Sequence, residues 1–382
     1  MIQRMDSGAA PSRSRARSAP PTPWLLLFVV SLVLRLACTW WLGDRDAPAV
    51  PEAQAIDRIA SSLARGAGFS DGAIAPLVPW LTSLVFRVRG HAPFEALALQ
   101  CLLGSLVPLL LVALGSRLYG SATGWRAGWI AACDPLLVGA SSALLIEAPL
   151  TSLLLLALLA TLEWVRTPQR GRAFGAGLLW GLAVLTHPIA IASPLAIAAW
   201  AWVPLGLALT GRERLLQLAM LMLALALVVA PWSIRGSLRA GRPVVVTDTP
   251  AGPDISGNAG SRLSSMGLEG VSLERWQATH AARLRVPRVL DPFTIWAWLT
   301  LPLAAWGLAL TARGARRWFQ SIVPLLIATT LVAALVMPGV VRMRTPIEPL
   351  VVLLSAVGLD GVLRRVRTRG PRLTVIEGST RA

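Results

Sequence analysis

Acidic side chains stand beside long apolar stretches at three positions, Glu52, Asp57 and Glu147. A carboxylate within reach of a hydroxyl can accept its proton, so each residue is a candidate for acid–base chemistry. Glu52 follows Pro51 and suits the positive end of a helix dipole equally well. Glu147 suits a helix cap at a membrane interface, although an ionisable group at membrane depth favours a functional role. The residues alone leave both interpretations open.

Arginines that could hold an anion form a second set. Arg342 and Arg344 come just before the last apolar stretch, and Arg235 follows an earlier one. Guanidinium groups pair well with phosphate oxygens. Arginine also binds ordinary lipid headgroups, but two such residues in a short loop that should be neutral favour a substrate role. For Arg235, simple anchoring beside Trp232 at the interface is an equal alternative.

Two further polar residues stand at breaks in the apolar pattern. His187 precedes Pro188, and Asn258 ends a Ser-Gly-Asn run. Both could contact a substrate, but a structural hydrogen bond and a turn are the commoner roles for such residues. The three cysteines show no metal-ligand spacing. We therefore predict no dedicated metal site and no required cofactor, a pattern that still leaves room for one divalent ion.

The elements that must position these residues are membrane helices. Of 382 residues, 55% are hydrophobic and 14% are charged, against about 25% charged in soluble domains. The apolar blocks are roughly 17–25 residues long, which matches the hydrocarbon core of a bilayer, and open strand edges have no partners in lipid. The composition predicts an all-α polytopic membrane protein with about ten transmembrane helices. They lie near 24–42, 94–117, 125–141, 147–165, 173–187, 188–209, 214–232, 293–312, 319–337 and 346–363.

The net charge of +17 is concentrated in short loops between these blocks. The positive-inside rule then places both termini in the cytoplasm, and nucleic acid is not an expected partner. The pattern predicts a disordered cytoplasmic tail (1–23), a core (24–232) with a first external loop (43–93), a second external loop (233–292), C-terminal helices (293–363) and a basic cytoplasmic tail (364–382). The first loop should hold an amphipathic helix at Glu52–Gly66 and a surface helix at Pro76–Val88. The second should open with a β-like run at Pro243–Thr249.

Six stretches occur in the order typical of one family and resemble its motifs. They are IASSLARGAGF (59–69), APLVPWLTSLVFRVRG (75–90), LIEAPLTSLLLLAL (145–158), GLLWGLAVLTHP (177–188), APWSIRGSLRAGRPVVVTDTPAGPDISGN (230–258) and RMRTPIEPLVVLLSAVGL (342–359). Together they resemble the GT-C membrane glycosyltransferases of family 39, the branch of the protein O-mannosyltransferases and aminoarabinose transferases.

This resemblance implies a GT-C-like fold and an inverting transfer from a polyprenyl-phosphate sugar to a hydroxyl at the outer membrane face. The acceptor would be a lipid, a glycan or a protein, and the membrane a bacterial inner membrane. Glu52 would be the general base, with Asp57 as its local competitor and Glu147 positioning the acceptor or the base. Cationic side chains would hold the phosphate, namely Arg235, Arg342 and Arg344.

Other positions depart from the family pattern. The family usually has an Asp four residues before a Tyr in the first loop, and this chain has Glu52 and Ile56 there. The extra methylene matters, since a shift of about 1 Å can lower a rate on the order of a hundredfold. His187 stands where relatives often carry Arg, and Asn258 would line the loop near the sugar.

Two other functions compete with sugar transfer. A non-catalytic relative that binds lipid-linked sugar, or assists another membrane enzyme, would explain the replaced Asp and Tyr. A transporter of small molecules or lipids would predict paired broken helices in two related halves and charges near the midplane. The sequence shows neither transporter feature clearly.

Overall fold

Helices make up nearly all of the structure, a computed structural model that describes residues 22–42, 51–69, 72, 74–206, 208–247, 292–312, 317–336 and 344–369. No β-strand occurs within these ranges. The first eight helices are α1 (Thr22–Leu42), α2 (Pro51–Ala64), α3 (Leu77–Arg89), α4 (Pro93–Gly104), α5 (Leu106–Tyr119), α6 (Ser121–Ala132), α7 (Pro135–Gly139) and α8 (Glu147–Arg166). The rest are α9 (Arg170–Thr186), α10 (Ala192–Gly206) after a 3-10 turn (Pro188–Ile191), α11 (Gly211–Ala240), α12 (Pro292–Thr311), α13 (Arg317–Gln320), α14 (Ile322–Val336) and α15 (Arg344–Arg369).

Long apolar helices identify a membrane protein, as the sequence predicts. In the described ranges five helical stretches are long and apolar enough to span a bilayer: Thr22–Trp41, Pro93–Tyr119, Glu147–Arg166, Gly211–Ala240 and Thr345–Arg365. Three shorter apolar helices accompany them, Pro188–Val203, Ile295–Thr311 and Ile322–Val332. The count of ten spans therefore stays a prediction.

Small residues let several of these helices approach at backbone distance. Gly307 of α12 faces the backbone of α15, and Gly358 of α15 faces the carbonyl of Leu303 on α12. A Cβ atom at either glycine would overlap a carbonyl oxygen of the partner helix. The α5–α6 and α9–α11 pairs also pack closely, which is the packing mode typical of membrane helices.

The bundle has two chemically different ends. One end, which we call the basic end, carries the loop arginines in ion pairs. Arg170 Nη2 lies 2.6 Å from Glu213 Oε1, and Arg117 pairs with Glu163. Arg126 pairs with Asp360 on α15, so the start of α15 at Arg344 points toward the opposite end. That opposite end, the loop end, carries α2 and α3.

The amphipathic prediction for the first loop is confirmed. Ala53, Ile56, Ile59, Ala60 and Leu63 of α2 are all buried. They form one stripe because residues three or four apart share a helix face. Helix α3 packs against α2, and the loop end therefore carries a helical hairpin.

Two helix boundaries differ from the sequence expectation. The helix expected over 125–141 ends at Ala132, because Pro135 cannot continue it and Asp134 starts the short α7. Residues 140–146 then run as a buried irregular segment to α8. The helix expected over 214–232 continues through Pro231 to Ala240. The described part of the expected β-like run, 243–247, forms no strand and returns along α11 instead.

Candidate active site

Two of the candidate carboxylates flank one apolar cluster at the loop end. The cluster combines α2, α3 and the start of α4 with residues 143–146, and it includes Ala53, Ile56 and Ile146. Glu52 precedes Ala53 and is partly exposed, while Glu147 follows Ile146 and is 4% exposed. The cluster therefore brings the first turn of α2 and the first turn of α8 to the same part of the molecule.

A glycine turn follows α2 and presents a carbonyl group to α11. Gly66 and Gly68 both have φ of +80°, a backbone conformation that side chains with a Cβ atom rarely adopt. Ser62 Oγ donates to Gly68 O at 2.8 Å and fixes the turn. The turn ends at Phe69, whose ring packs edge-on against Trp232 with 4.6 Å between centroids.

Arg235 lies between these two aromatic rings. Its guanidinium carbon is 5.1 Å from the centroid of Phe69 and 4.8 Å from that of Trp232. Cation–π contacts of this kind hold a guanidinium group in place while leaving part of its N–H edge available. The sequence left anchoring beside Trp232 as an alternative role for Arg235. In the structure Arg235 does contact Trp232, and the contact gives its guanidinium group a defined orientation.

A second guanidinium group joins Arg235 one helical turn later. Arg239 Nη1 donates to Phe69 O at 3.1 Å, and Arg235 Nη2 approaches the same oxygen at 3.4 Å. Neither arginine pairs with a carboxylate in the part of the chain that the structure describes. Two cations that share one neutral oxygen form a natural site for an anion. Arg239 was not among the predicted site residues, since the sequence shows it only as one of several arginines in the second external loop.

The extra length of α11 depends on the chain that follows it. Gly241 ends the helix in the left-handed conformation, with φ of +63°. The returning segment then bonds to α11: Trp232 Nε1 donates to Val246 O at 2.6 Å, and Val244 N donates to Ser237 Oγ at 2.9 Å. These contacts hold Arg235 and Arg239 on a rigid helix rather than on a loop.

Helix α2 places Glu52 and the arginine pair at its two ends. With a rise of about 1.5 Å per residue, the helix axis from Glu52 to Ala64 is about 18 Å long. Asp57 lies between them, and both its carboxylate oxygens contact His91 Nε2, at 2.9 and 3.0 Å. The structure thus places Glu52 and Glu147 beside the same apolar cluster and joins Arg235 with Arg239 at one carbonyl oxygen. It does not bring Arg235 next to Glu52.

His187 occupies a structural position at the break between α9 and the following 3-10 turn. Its Nδ1 accepts a hydrogen bond from Ile189 N at 3.2 Å. Three other candidates fall outside what the structure describes. Asn258 and Arg342 are not among the described residues, and α15 begins at Arg344, of whose side chain nothing is described.

A buried charged layer was missed by the sequence analysis. Asp134 and Glu348 are 0% exposed, as is Arg35, which the sequence shows only as a charge within the first span. Two signals existed in the sequence, namely an Asp-Pro pair that interrupts an apolar block and a glutamate between Pro346 and Pro349. No group of three or more His, Cys, Asp or Glu residues that could hold a metal occurs among the described residues.

Comparison with known proteins gives the same architecture. The family profile for dolichyl-phosphate-mannose-protein mannosyltransferase matches residues 73–234. ArnT from Cupriavidus metallidurans, solved bound to undecaprenyl phosphate, aligns over 89% of this chain and 61% of its own, with 18% identity and a TM-score of 0.58. The chain has the GT-C fold. The predicted resemblance to family 39 GT-C membrane glycosyltransferases is confirmed.

The GT-C fold is shared with more distant archaeal enzymes. The Archaeoglobus fulgidus oligosaccharyltransferase, solved with Zn and sulfate, aligns over 90% of this chain and 49% of its own, with 15% identity and a TM-score of 0.56. Its complex with an inhibitory peptide and a dolichol-phosphate aligns with a TM-score of 0.52, at 12% identity over 93% of this chain and 53% of its own. This GT-C chain thus spans about half to three fifths of the length of these enzymes. A sequence search of curated proteins finds no significant match.

Proposed function

We propose that this GT-C protein transfers a monosaccharide from a polyprenyl-phosphate donor to an acceptor hydroxyl, with inversion at the sugar carbon. The observation that carries the proposal is the convergence of Arg235 and Arg239 on one carbonyl, at the same end of the bundle as Glu52 and Glu147. Support comes from ArnT and the archaeal enzyme, whose structures hold undecaprenyl phosphate and dolichol-phosphate.

The loop end would face the outside of the bacterial inner membrane. The basic end carries the short arginine-rich loops, and such loops remain in the cytoplasm. A lipid phosphate in the outer leaflet lies at headgroup level, where the last turns of α11 stand. The acceptor, a lipid, a glycan or a protein, would approach from outside.

In the proposed reaction a carboxylate removes the proton from the acceptor hydroxyl. The hydroxyl oxygen forms a bond to the anomeric carbon as the bond from that carbon to the phosphate oxygen breaks. The polyprenyl phosphate leaves with an added negative charge, which Arg235 and Arg239 stabilise together with Arg342 and Arg344. Glu147 would position the acceptor or the base, and His187 and Asn258 are the further residues proposed to contact the substrate.

Two carboxylates of α2, Glu52 and Asp57, compete for the role of the base. A sugar ring that extends from a phosphate at Arg235 along α2 meets Asp57 before Glu52, and Asp57 is already paired with His91. Glu52 is partly exposed in the first turn of α2. We assign the base to Glu52 because the family resemblance points to that position, and Asp57 is the competing assignment.

The test is transfer of a labelled sugar from purified polyprenyl-phosphate donors in proteoliposomes. Glu52→Gln should lower kcat at least about a hundredfold, as expected for loss of a general base, while Asp57→Asn should lower it far less. Glu95→Gln, at a half-buried glutamate at the start of α4, is the matched control. A reversed order of the first two variants would move the base to Asp57. Lipid phosphate binding without transfer from any donor would instead favour a non-catalytic relative.

A further inference from the structure

A charged contact joins the middle of α2 to the turn between α3 and α4. Both carboxylate oxygens of Asp57 contact His91 Nε2, at 2.9 and 3.0 Å. The side chain of Asp57 is 15% exposed and that of His91 is 52% exposed. The pair therefore lies at the surface of the loop end, where an ion pair adds little to the stability of a whole protein. Its effect should be local to the elements that it joins.

The turn that carries His91 is short and has a defined backbone. Gly90 ends α3 with φ of +76°, a conformation that favours glycine, and Pro93 begins α4 soon after His91. The His91 ring also packs against the ring of Phe86, with 5.0 Å between centroids, and Phe86 is buried on α3. The turn and Phe86 therefore fix the imidazole in the position where it meets Asp57.

Helix α2 is held at the loop end both by apolar packing and by directional contacts. Its buried stripe forms part of the apolar cluster at this end. Apolar contacts have no preferred direction, so they bury the stripe without setting how far α2 shifts along its axis. Polar contacts set that position. Arg87 Nη2 of α3 donates to Leu63 O near the end of α2, at 3.2 Å, and His91 contacts Asp57 nearer the start.

Asp57 lies close to the candidate base along the same helix. Glu52 is in the first turn of α2, and the rise between the two residues is about 7.5 Å. A short helix moves as one unit, so a shift of α2 at Asp57 also moves Glu52. A displacement of about 1 Å in a reacting group is enough to lower a rate substantially.

We propose that Asp57 and His91 are positioning residues, whose contact fixes α2, and with it Glu52, relative to α3 and α4. Asp57 then acts through His91 rather than as the base, which decides between the two carboxylates of α2. The consequence for catalysis rests on the proposed function, whereas the consequence for the position of α2 does not.

The test is a double-variant cycle with Asp57→Ala, His91→Ala and both together, in lipid nanodiscs. Each single variant should speed amide hydrogen exchange in α2 about threefold, the size expected for loss of a partly exposed ion pair. The unfolding temperature should change by less than about 2 °C. In the transfer assay kcat should fall about fivefold with KM nearly unchanged, since substrate contacts remain. The double variant should match the single variants, because both substitutions remove the same contact.

Two further variants separate the contact from general damage to the turn. His91→Gln keeps an N–H donor on the side chain, so it should retain most of the amide protection and of kcat. Arg89→Ala is the matched control, because it breaks an ion pair beside the same turn that joins α3 to Glu95 of α4 and does not involve α2. It should change neither the exchange in α2 nor kcat.

Three results would overturn the proposal. The first is multiplied effects in the double variant, and the second is unchanged exchange in α2 in both single variants. The third is a loss of kcat of about a hundredfold in Asp57→Ala with none in His91→Ala, as expected if Asp57 is the base. If the wild type transfers no sugar, the proposed function fails, and the exchange data still decide whether the contact positions α2.

Discussion

At the residue scale, the planar guanidinium of Arg235 fits a slot between two rings. A lysine keeps the charge there but loses the stacking and the forked N–H edge. Arg235→Lys should therefore weaken polyprenyl phosphate binding about tenfold, and Arg235→Gln more than that, because it also removes the charge. Binding of a labelled polyprenyl phosphate to each purified variant would measure both effects. The control is Arg212→Lys at the basic end, and equal binding by all variants would place the phosphate elsewhere.

Gly104 supplies a second prediction at this scale. A Cβ atom there would lie 2.8 Å from Ser141 Oγ and 3.0 Å from Arg35 Nε, both of them buried. Gly104→Ala should destabilise the protein by about 1–3 kcal/mol, the usual range for overpacking. Thermal unfolding in detergent would show it. Gly175→Ala is the matched control, because nothing lies within 4 Å of its Cβ position; a similar loss in both variants would contradict the reason given.

Individual site residues were predictable from sequence only where a motif carries them. Glu147 and Arg235 lie in stretches that resemble family motifs, and Glu52 was located by its spacing from one of them. The structure describes all three at the loop end. Asp134 and Glu348 were not found, because their burial depends on four helices that meet only in the folded chain. A rule that treats every charge in an apolar block as a candidate would have found both.

At the element scale, hydropathy located the helices well but not their ends. Helix α11 extends beyond its apolar stretch because Ser237 and Trp232 form hydrogen bonds with the returning segment. Helix α6 is shorter than its apolar stretch because Asp134 and Pro135 start a new helix. Hydropathy records the preference of residues for lipid, whereas these ends are set by side-chain bonds and proline.

The close packing of α12 against α15 can be tested by replacing one glycine at the contact with alanine. Gly358→Ala puts a Cβ atom onto the carbonyl of Leu303, so the two helices must separate. We expect a loss of about 3 kcal/mol or more, since backbone cannot move aside as a side chain can. Chemical unfolding in mixed micelles would measure the loss. Stability equal to that of wild type would mean that the helices pack farther apart than described.

At the scale of the whole molecule, the two ends of the bundle predict its orientation. In a cysteine-free background, a single cysteine at Arg58 on α2 should react with a membrane-impermeant maleimide in intact cells. A single cysteine at Arg212, before the apolar part of α11, should react only after permeabilisation. The opposite labelling pattern would place the candidate active site on the cytoplasmic side and rule out an outer-leaflet donor.

The fold as a whole was more predictable than its active site. The class, the surface helices of the first loop and the order of helices all follow from hydropathy, helical periodicity and family resemblance. The number of spans did not follow, because helices such as α10 and α14 are short and a length criterion alone does not assign them. The long second loop, with Asn258, lies outside the described residues.

Helix α11 has thirty residues, and its length can be compared with the thickness of the bilayer. At about 1.5 Å per residue the helix is about 45 Å long, compared with about 30 Å of hydrocarbon. The height of Arg235 is thus fixed by a rigid rod, whereas the height of a lipid phosphate is fixed by the acyl chains around it. Longer or shorter phospholipid tails would raise or lower the phosphate plane past the guanidinium, so the surrounding membrane sets how well the two meet.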